Sequence, residues 1–168
     1  MNDNFLSNKE LRKIKLKSFG KGVQISPNVT IIGAKNIQIG DNVRIDDYTI
    51  ISAKEGYLKL ASNIHIGGQC YLGCGGGIEI SRNVNIAQGV KIYSKINDYI
   101  NVSEKHKIIK GKVKISSNVI VGSNSVILGR CKISLGTTVG ALSLVKKDLN
   151  PWSVYAGNPV RFIKKRKK

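Results

Sequence analysis

Histidine, cysteine and acidic residues are all scarce in this chain, and each scarcity removes a class of function. Two histidines in 168 residues fall short of the three protein ligands of a catalytic zinc centre, so no metal is expected. The three cysteines, Cys70, Cys74 and Cys131, are an odd number without the paired spacing of a zinc knuckle or redox motif. No disulfide is assigned. No apolar run approaches the roughly 18 residues of a membrane span, and the opening Met1-Asn-Asp-Asn-Phe-Leu-Ser lacks the basic and apolar regions of a secretory signal. A soluble cytoplasmic protein is the expectation.

Acidic residues number 10 against 28 lysines and arginines, a formal net charge of +18, which suits anionic partners. Nucleic-acid binding calls for basic residues interleaved with aromatics on one surface. Aromatics are 6% of this chain and scattered, so nucleic acid is set aside. Much of the charge is local, at Lys9, Arg12, Lys13, Lys15 and Lys17 and again from Arg161 to Lys168. Such ends fit a peripheral contact with an anionic membrane surface.

What the chain has in abundance is a six-residue repeat. Copies such as Val43-Arg-Ile45, Ile64-His-Ile66, Val84-Asn-Ile86 and Val113-Lys-Ile115 are separated by short turns. Alternation sends the first and third residues inward and the middle one outward. A single repeat cannot bury its apolar side alone and must stack on its neighbours. The inward ladder from Ile25 to Val145 steps by six, except after Ile31, Ile51, Leu72 and Ile92. Those breaks are three repeats apart. If three repeats make one coil of a triangular prism, every insertion leaves from one corner: 33–36, 53–57, 74–77 and a long loop over 93–112. An edge that alone tolerates insertions is where a solenoid places its binding apparatus.

The division that follows is a cap over 1–22, the coiled domain over 23–148, and a closing segment with a basic tail over 149–168. A capping box at Ser7 and Glu10 predicts a short helix ended by Gly20 and Gly22. Sorted by face, the outward residues Gln38, Lys59, Glu79, Lys114 and Lys132 make a polar face. Ile50, Tyr71, Val126 and Leu144 make an apolar one, and exposed apolar strips mark partner surfaces. Gln24, Arg44, His65, Asn85, Ile120 and Thr138 make a mixed face suited to lining a ligand cleft. Pro151 and Pro159 are expected to stop the coils. Trp152, Tyr155, Phe162 and Ile163 are expected to pack on the upper end, with the last five residues frayed.

With its repeat, its turns and the segment Pro151-Trp-Ser-Val-Tyr-Ala-Gly-Asn-Pro159, the chain resembles the hexapeptide-repeat acyltransferases over roughly residues 20–163. The resemblance implies an all-β fold, the left-handed parallel β-helix, assembled as a homotrimer. It also implies transfer of an acyl group from acetyl-coenzyme A to a sugar hydroxyl or amine, in bacterial surface-polysaccharide assembly, on a nucleotide- or lipid-linked acceptor. In the family a catalytic histidine stands near the start of the long loop. The matching position here is Asn97, followed by Asp98.

Asp98 can take a proton or orient the acceptor, and Asn97 can donate to an oxyanion. His106, within the loop, is a further candidate base, while His65, Asn85 and Tyr99 are candidates for holding the acceptor. By resemblance the coenzyme A arm runs past Gly122, Ser123, Gly140 and Ala141, and its phosphates meet Lys146, Lys147, Arg161 and Lys164. The competing reading is a non-catalytic β-helix, a pseudoenzyme or a structural solenoid. Stabilisation by acetyl-coenzyme A would separate the two.

Overall fold

The computed structural model describes residues 5–98 and 107–167. The aliphatic ladder winds three strands to a coil, so that each strand pairs in parallel with the strand one coil above. Leu58–Leu60, Ile64–Ile66 and Tyr71–Gly73 lie on the polar, mixed and apolar faces of one coil. Ile78–Ile80 then returns to stack on the first, with Ile78 opposite Leu58 and Ile80 opposite Leu60. Three sheets of six, eight and six strands result. Their inward residues, among them Ile25, Ile45, Ile66, Ile86 and Val121, form one continuous core along the axis.

Two corners are tight turns that hold a residue in the left-handed region. At the polar-to-mixed corner this is asparagine in four successive coils, at Asn42, Asn63, Asn83 and Asn118, with φ between 53° and 60°. Asparagine tolerates that conformation better than most residues, and stacking aligns the side chains. The Nδ2 of each of the first three donates to the Oδ1 of the next at 3.2 Å.

The third corner carries the insertions. Segments 33–36, 53–57 and 74–77 and the long excursion after Lys91–Tyr93 all leave between the apolar and polar faces, as the spacing requires. The long excursion opens as an antiparallel hairpin, Lys95–Asn97 against Ile108–Lys110.

Both ends depart from the sequence expectation. The helix α1 (Asn8–Ile14) has its Ser7–Glu10 capping box, but it stops at Lys15, which adopts the left-handed conformation. Ser18–Phe19 is already a strand pairing with Gln38 and Ile39. At the other end the prolines do not stop the stacking. Leu149 bridges to Ile133, and Ser153–Ala156 pairs in parallel with Thr138 and Val139. The chain then folds back as Arg161–Lys165.

The tail is tethered. Arg166 donates to the carbonyls of Asn118 at 2.8 Å and Gly136 at 3.1 Å. Trp152 and Tyr155 do cover the upper end, Trp152 lying over Gly136 and Tyr155 being buried. Phe162 meets the Tyr155 ring edge-on at 5.9 Å, yet Phe162 and Ile163 stay 53% and 55% exposed, because the strand that carries them is the outermost of its sheet among the described residues.

Candidate active site

The hairpin is held at its root by one buried serine. Ser94 Oγ donates to the Gly73 carbonyl at 2.7 Å and accepts from the Gly76 N–H at 2.9 Å, and its own carbonyl accepts from Gly111. Gly76 has to be glycine, since a Cβ there would run into the Ser94 carbonyl and the Gly111 backbone. Farther out, Lys95 and Lys110 face each other across the strands. Glu55, from two coils below, reaches both, at 2.8 Å and 3.5 Å. These lysines hold the Glu55 carboxyl below its ordinary range.

Asn97 ends the first strand and is exposed. Asp98 follows it, half-buried, its N–H donating to the Lys107 carbonyl at 2.7 Å. Tyr99 and His106 lie outside the described residues.

On the apolar face the hairpin separates two hollows that share Tyr93 and Lys95 as a wall. The upper one, about 530 Å³, is lined by Ile96, Asn97, Val126 and Leu128 besides that wall. The lower one, about 240 Å³, is lined by Ser52, Lys54, Glu55, Tyr71, Gly73 and Gly75, among others. Nothing in the repeat singles out Glu55 or Tyr93. Their role appears only when the insertions are stacked.

His65 and Asn85 lie on another face of the chain. They line a groove of about 720 Å³ on the mixed face, with the asparagine ladder, Arg44 and the tail residues Arg166 and Lys167. The His65 Nε2 lies 2.7 Å from Asp46 Oδ2, and Arg44 Nε donates to Asp46 Oδ1 at 2.6 Å. Burial pushes the Asp46 carboxyl up, but the hydrogen bonds of Arg44 and His65 outweigh it and leave the group below its usual range. Asp46 carried no signal in the sequence, lying in a turn after a repeat.

The residues expected to meet the donor are divided. Gly122–Ser123 and Gly140–Ala141 stack on one another at the mixed-to-apolar corner, where a Cβ on Gly122 would collide with Ala141. Stacking alone therefore accounts for that glycine. The N–H groups of Gly122 and Gly140 are taken by the carbonyls of Val139 and Tyr155, so polar contact with a ligand falls to other atoms of these turns. Lys146 and Lys147 follow the last strand of the apolar face, whereas Arg161 and Lys164 sit on the outermost strand of the mixed face; all four are exposed.

The cysteines are packing. All three are buried, and burial pushes Cys74 up to about 12 and Cys131 up to about 11, so neither is a thiolate nucleophile near neutral pH. Among the described residues no group of histidine, cysteine and carboxylate side chains is placed to hold a metal, and no helix is long and apolar enough to cross a membrane.

No family model matches the chain. It is 36% identical over 173 residues to dTDP-4-amino-4,6-dideoxy-D-glucose acyltransferase of Escherichia coli, an alignment covering 98% of this chain and 90% of that one. Among solved structures, it is similar to a variant of AntD, an N-acyltransferase from Bacillus cereus, in complex with dTDP-4-amino-4,6-dideoxyglucose and coenzyme A. The two are 37% identical with a TM-score of 0.94, over 100% of this chain and 93% of that one. A maltose O-acetyltransferase from Clostridium difficile is 26% identical, with a TM-score of 0.67 over 99% and 81% of the two chains. The coil matches the left-handed parallel β-helix of such acetyltransferases.

Proposed function

Because the chain belongs to the hexapeptide-repeat sugar acyltransferases, acting on acyl-coenzyme A, we propose that it acylates the amine of a dTDP-linked amino sugar. The observation that carries this reading is the near-full-length identity with the Escherichia coli enzyme. An amine acceptor also fits a loop without the family's histidine, since an amine delivered as its free base needs less help to attack than an alcohol.

In the reaction the amine nitrogen attacks the thioester carbonyl carbon. Negative charge develops on the carbonyl oxygen, the C–S bond breaks with the coenzyme A thiolate leaving, and the proton that the nitrogen gives up ends on that sulfur as free thiol. Asp98 takes that proton or holds the amine in line, and Asn97, beside it on the hairpin, donates to the developing oxyanion. Positioning of both substrates supplies much of the rest. The donor lies along the upper coils, with acetyl as the acyl group.

Three copies with parallel axes complete the site. The apolar face of each packs on its neighbour, so that the neighbour's mixed face brings His65 and Asn85 opposite the hairpin. The product feeds surface-polysaccharide assembly in the cytoplasm, and the basic ends favour work close to an anionic membrane.

The test is transfer from acetyl-coenzyme A to dTDP-4-amino-4,6-dideoxyglucose, followed by release of free thiol. Asp98→Ala should lower turnover by about 10²-fold, the lower end of what a general base contributes, with the coenzyme A dissociation constant unchanged. Wild-type turnover in that variant would remove Asp98 from the chemistry.

A further inference from the structure

We propose that the upper end of the prism is a docking surface for an anionic lipid bilayer, with Phe162 and Ile163 entering the headgroup layer beside Lys165 and Lys167. This deepens the membrane contact of the proposed function and rests on it, and on three copies sharing parallel axes. Residues 149–168 hold six basic side chains, all from Arg161 onward, and no acidic one. Charge of that density draws the end toward an anionic surface. What singles out lipid is that the same short strand exposes two large apolar side chains, Phe162 and Ile163, each by more than half.

The pairing register gives these residues their direction. Arg161–Lys165 runs antiparallel to Ser153–Ala156, and residues directly opposite in such strands share a side. Phe162 is opposite Tyr155, which is buried toward the core, so Phe162 leans over the core as well. Lys165, opposite the buried Ser153, falls on the same side. Arg161 and Lys164, opposite Ala156 and Val154, project the other way, along the mixed face. Ile163 has no partner, because the register skips it between Phe162 and Lys164 as in a bulge. The strand is the outermost of its sheet among the described residues, so its inward side is the end surface of the prism. That surface lies across the axis and belongs to none of the three lateral faces. Side-by-side packing of copies leaves it open.

The two ends differ in what they expose. The lower end is also basic, at Lys9, Arg12, Lys13, Lys15 and Lys17, but its apolar residues Leu6, Leu11, Ile14 and Leu16 are buried or half-buried. Charge alone gives a contact that salt screens, whereas charge joined to exposed apolar area holds a surface in the membrane interface. An edge strand could also pair with a second copy, but lysines along an edge oppose that. A single phenylalanine already set against Tyr155 is no stacking platform for successive bases. Three parallel copies turn their upper ends the same way, so three patches reach one flat surface together and their affinities compound.

Sedimentation with vesicles of phosphatidylcholine and phosphatidylglycerol in equal parts tests the assignment, with pure phosphatidylcholine as the neutral control. The wild type should pellet with the anionic vesicles alone. Ile163→Ser should weaken that partition on the order of tenfold, the scale of apolar area lost from three patches at once, and leave acyl transfer in solution unchanged. Phe162→Ser should act in the same direction; should loss of its contact with Tyr155 unfold the end, Ile163→Ser carries the test by itself. Lys165→Glu with Lys167→Glu should abolish binding, whereas Lys9→Glu with Lys13→Glu, an equal change of net charge at the opposite end, should leave most of it. Wild-type binding by Ile163→Ser, or equal losses from the two charge pairs, overturns docking by this end while a general electrostatic contact survives. A wild type that ignores anionic vesicles removes the membrane contact altogether, and its retention on single-stranded DNA would give the end to a nucleic-acid partner. Acyl transfer in solution is read separately from each of these outcomes.

Discussion

Asp46 shows how one side chain turns position into pH dependence. Its carboxyl sits below the ordinary aspartate value because Arg44 and His65 outweigh the effect of burial. A carboxylate depressed in this way contributes stability that is fully present above its unfolded-state pKa and is lost as pH falls through its folded-state value. Asp46→Asn should therefore lower the unfolding temperature near neutral pH, and the gap from wild type should close as the solution is taken below the usual aspartate range. A gap that stayed constant throughout acid titration, followed by circular dichroism, would contradict the assignment. Each buried aliphatic is also a residue-scale commitment. Ile86, fully buried between coils, belongs to the class in which truncation to alanine costs about 2–5 kcal/mol.

At the scale of an element, the hairpin is the part least able to hold its own position. Two strands alone are marginal in water, and like charges directly opposite each other, here Lys95 and Lys110, weaken the pair further. Glu55 relieves that repulsion from a separate coil and so ties the hairpin to the prism. Glu55→Gln should leave the global unfolding temperature unchanged yet speed amide exchange across the paired strands and reduce turnover. High salt should reproduce part of that effect in the wild type. Pairing Glu55→Lys with Lys95→Glu rebuilds the attraction and should restore both readouts. Failure of the swap to rescue would mean that Ser94 alone sets the hairpin.

At the scale of the whole molecule, the apolar face is the one on which the proposed trimer would close. Ile50 is 39% exposed there, with Leu142 at its corner 73% exposed, and Tyr71, Val126 and Leu144 are only half-buried. Contiguous exposure of this kind marks a partner surface. Leu144→Glu should convert a trimer to monomers by light scattering and abolish transfer, because the proposed site takes His65 and Asn85 from the neighbour. A trimer that persisted with Glu at this position would place the contact on another face.

Much of this was legible in the order of residues. A period of six with inward aliphatics requires stacking, and insertions spaced three repeats apart put the hairpin on one corner; both follow because strand alternation and coil closure are local and repeated. What lay beyond it were meetings between residues far apart in the chain: Glu55 with Lys95 and Lys110, Tyr71 with Tyr93, Asp46 with His65, Arg166 with Asn118. The tail shows the reason most plainly. Five basic residues read as loose by composition, yet docking depends on carbonyl oxygens that only the finished coils present to Arg166. Sequence determined the ladder and its breaks, while tertiary structure decided which side chains face each other across coils, since those pairings depend on stacking register and corner geometry rather than on neighbours along the chain.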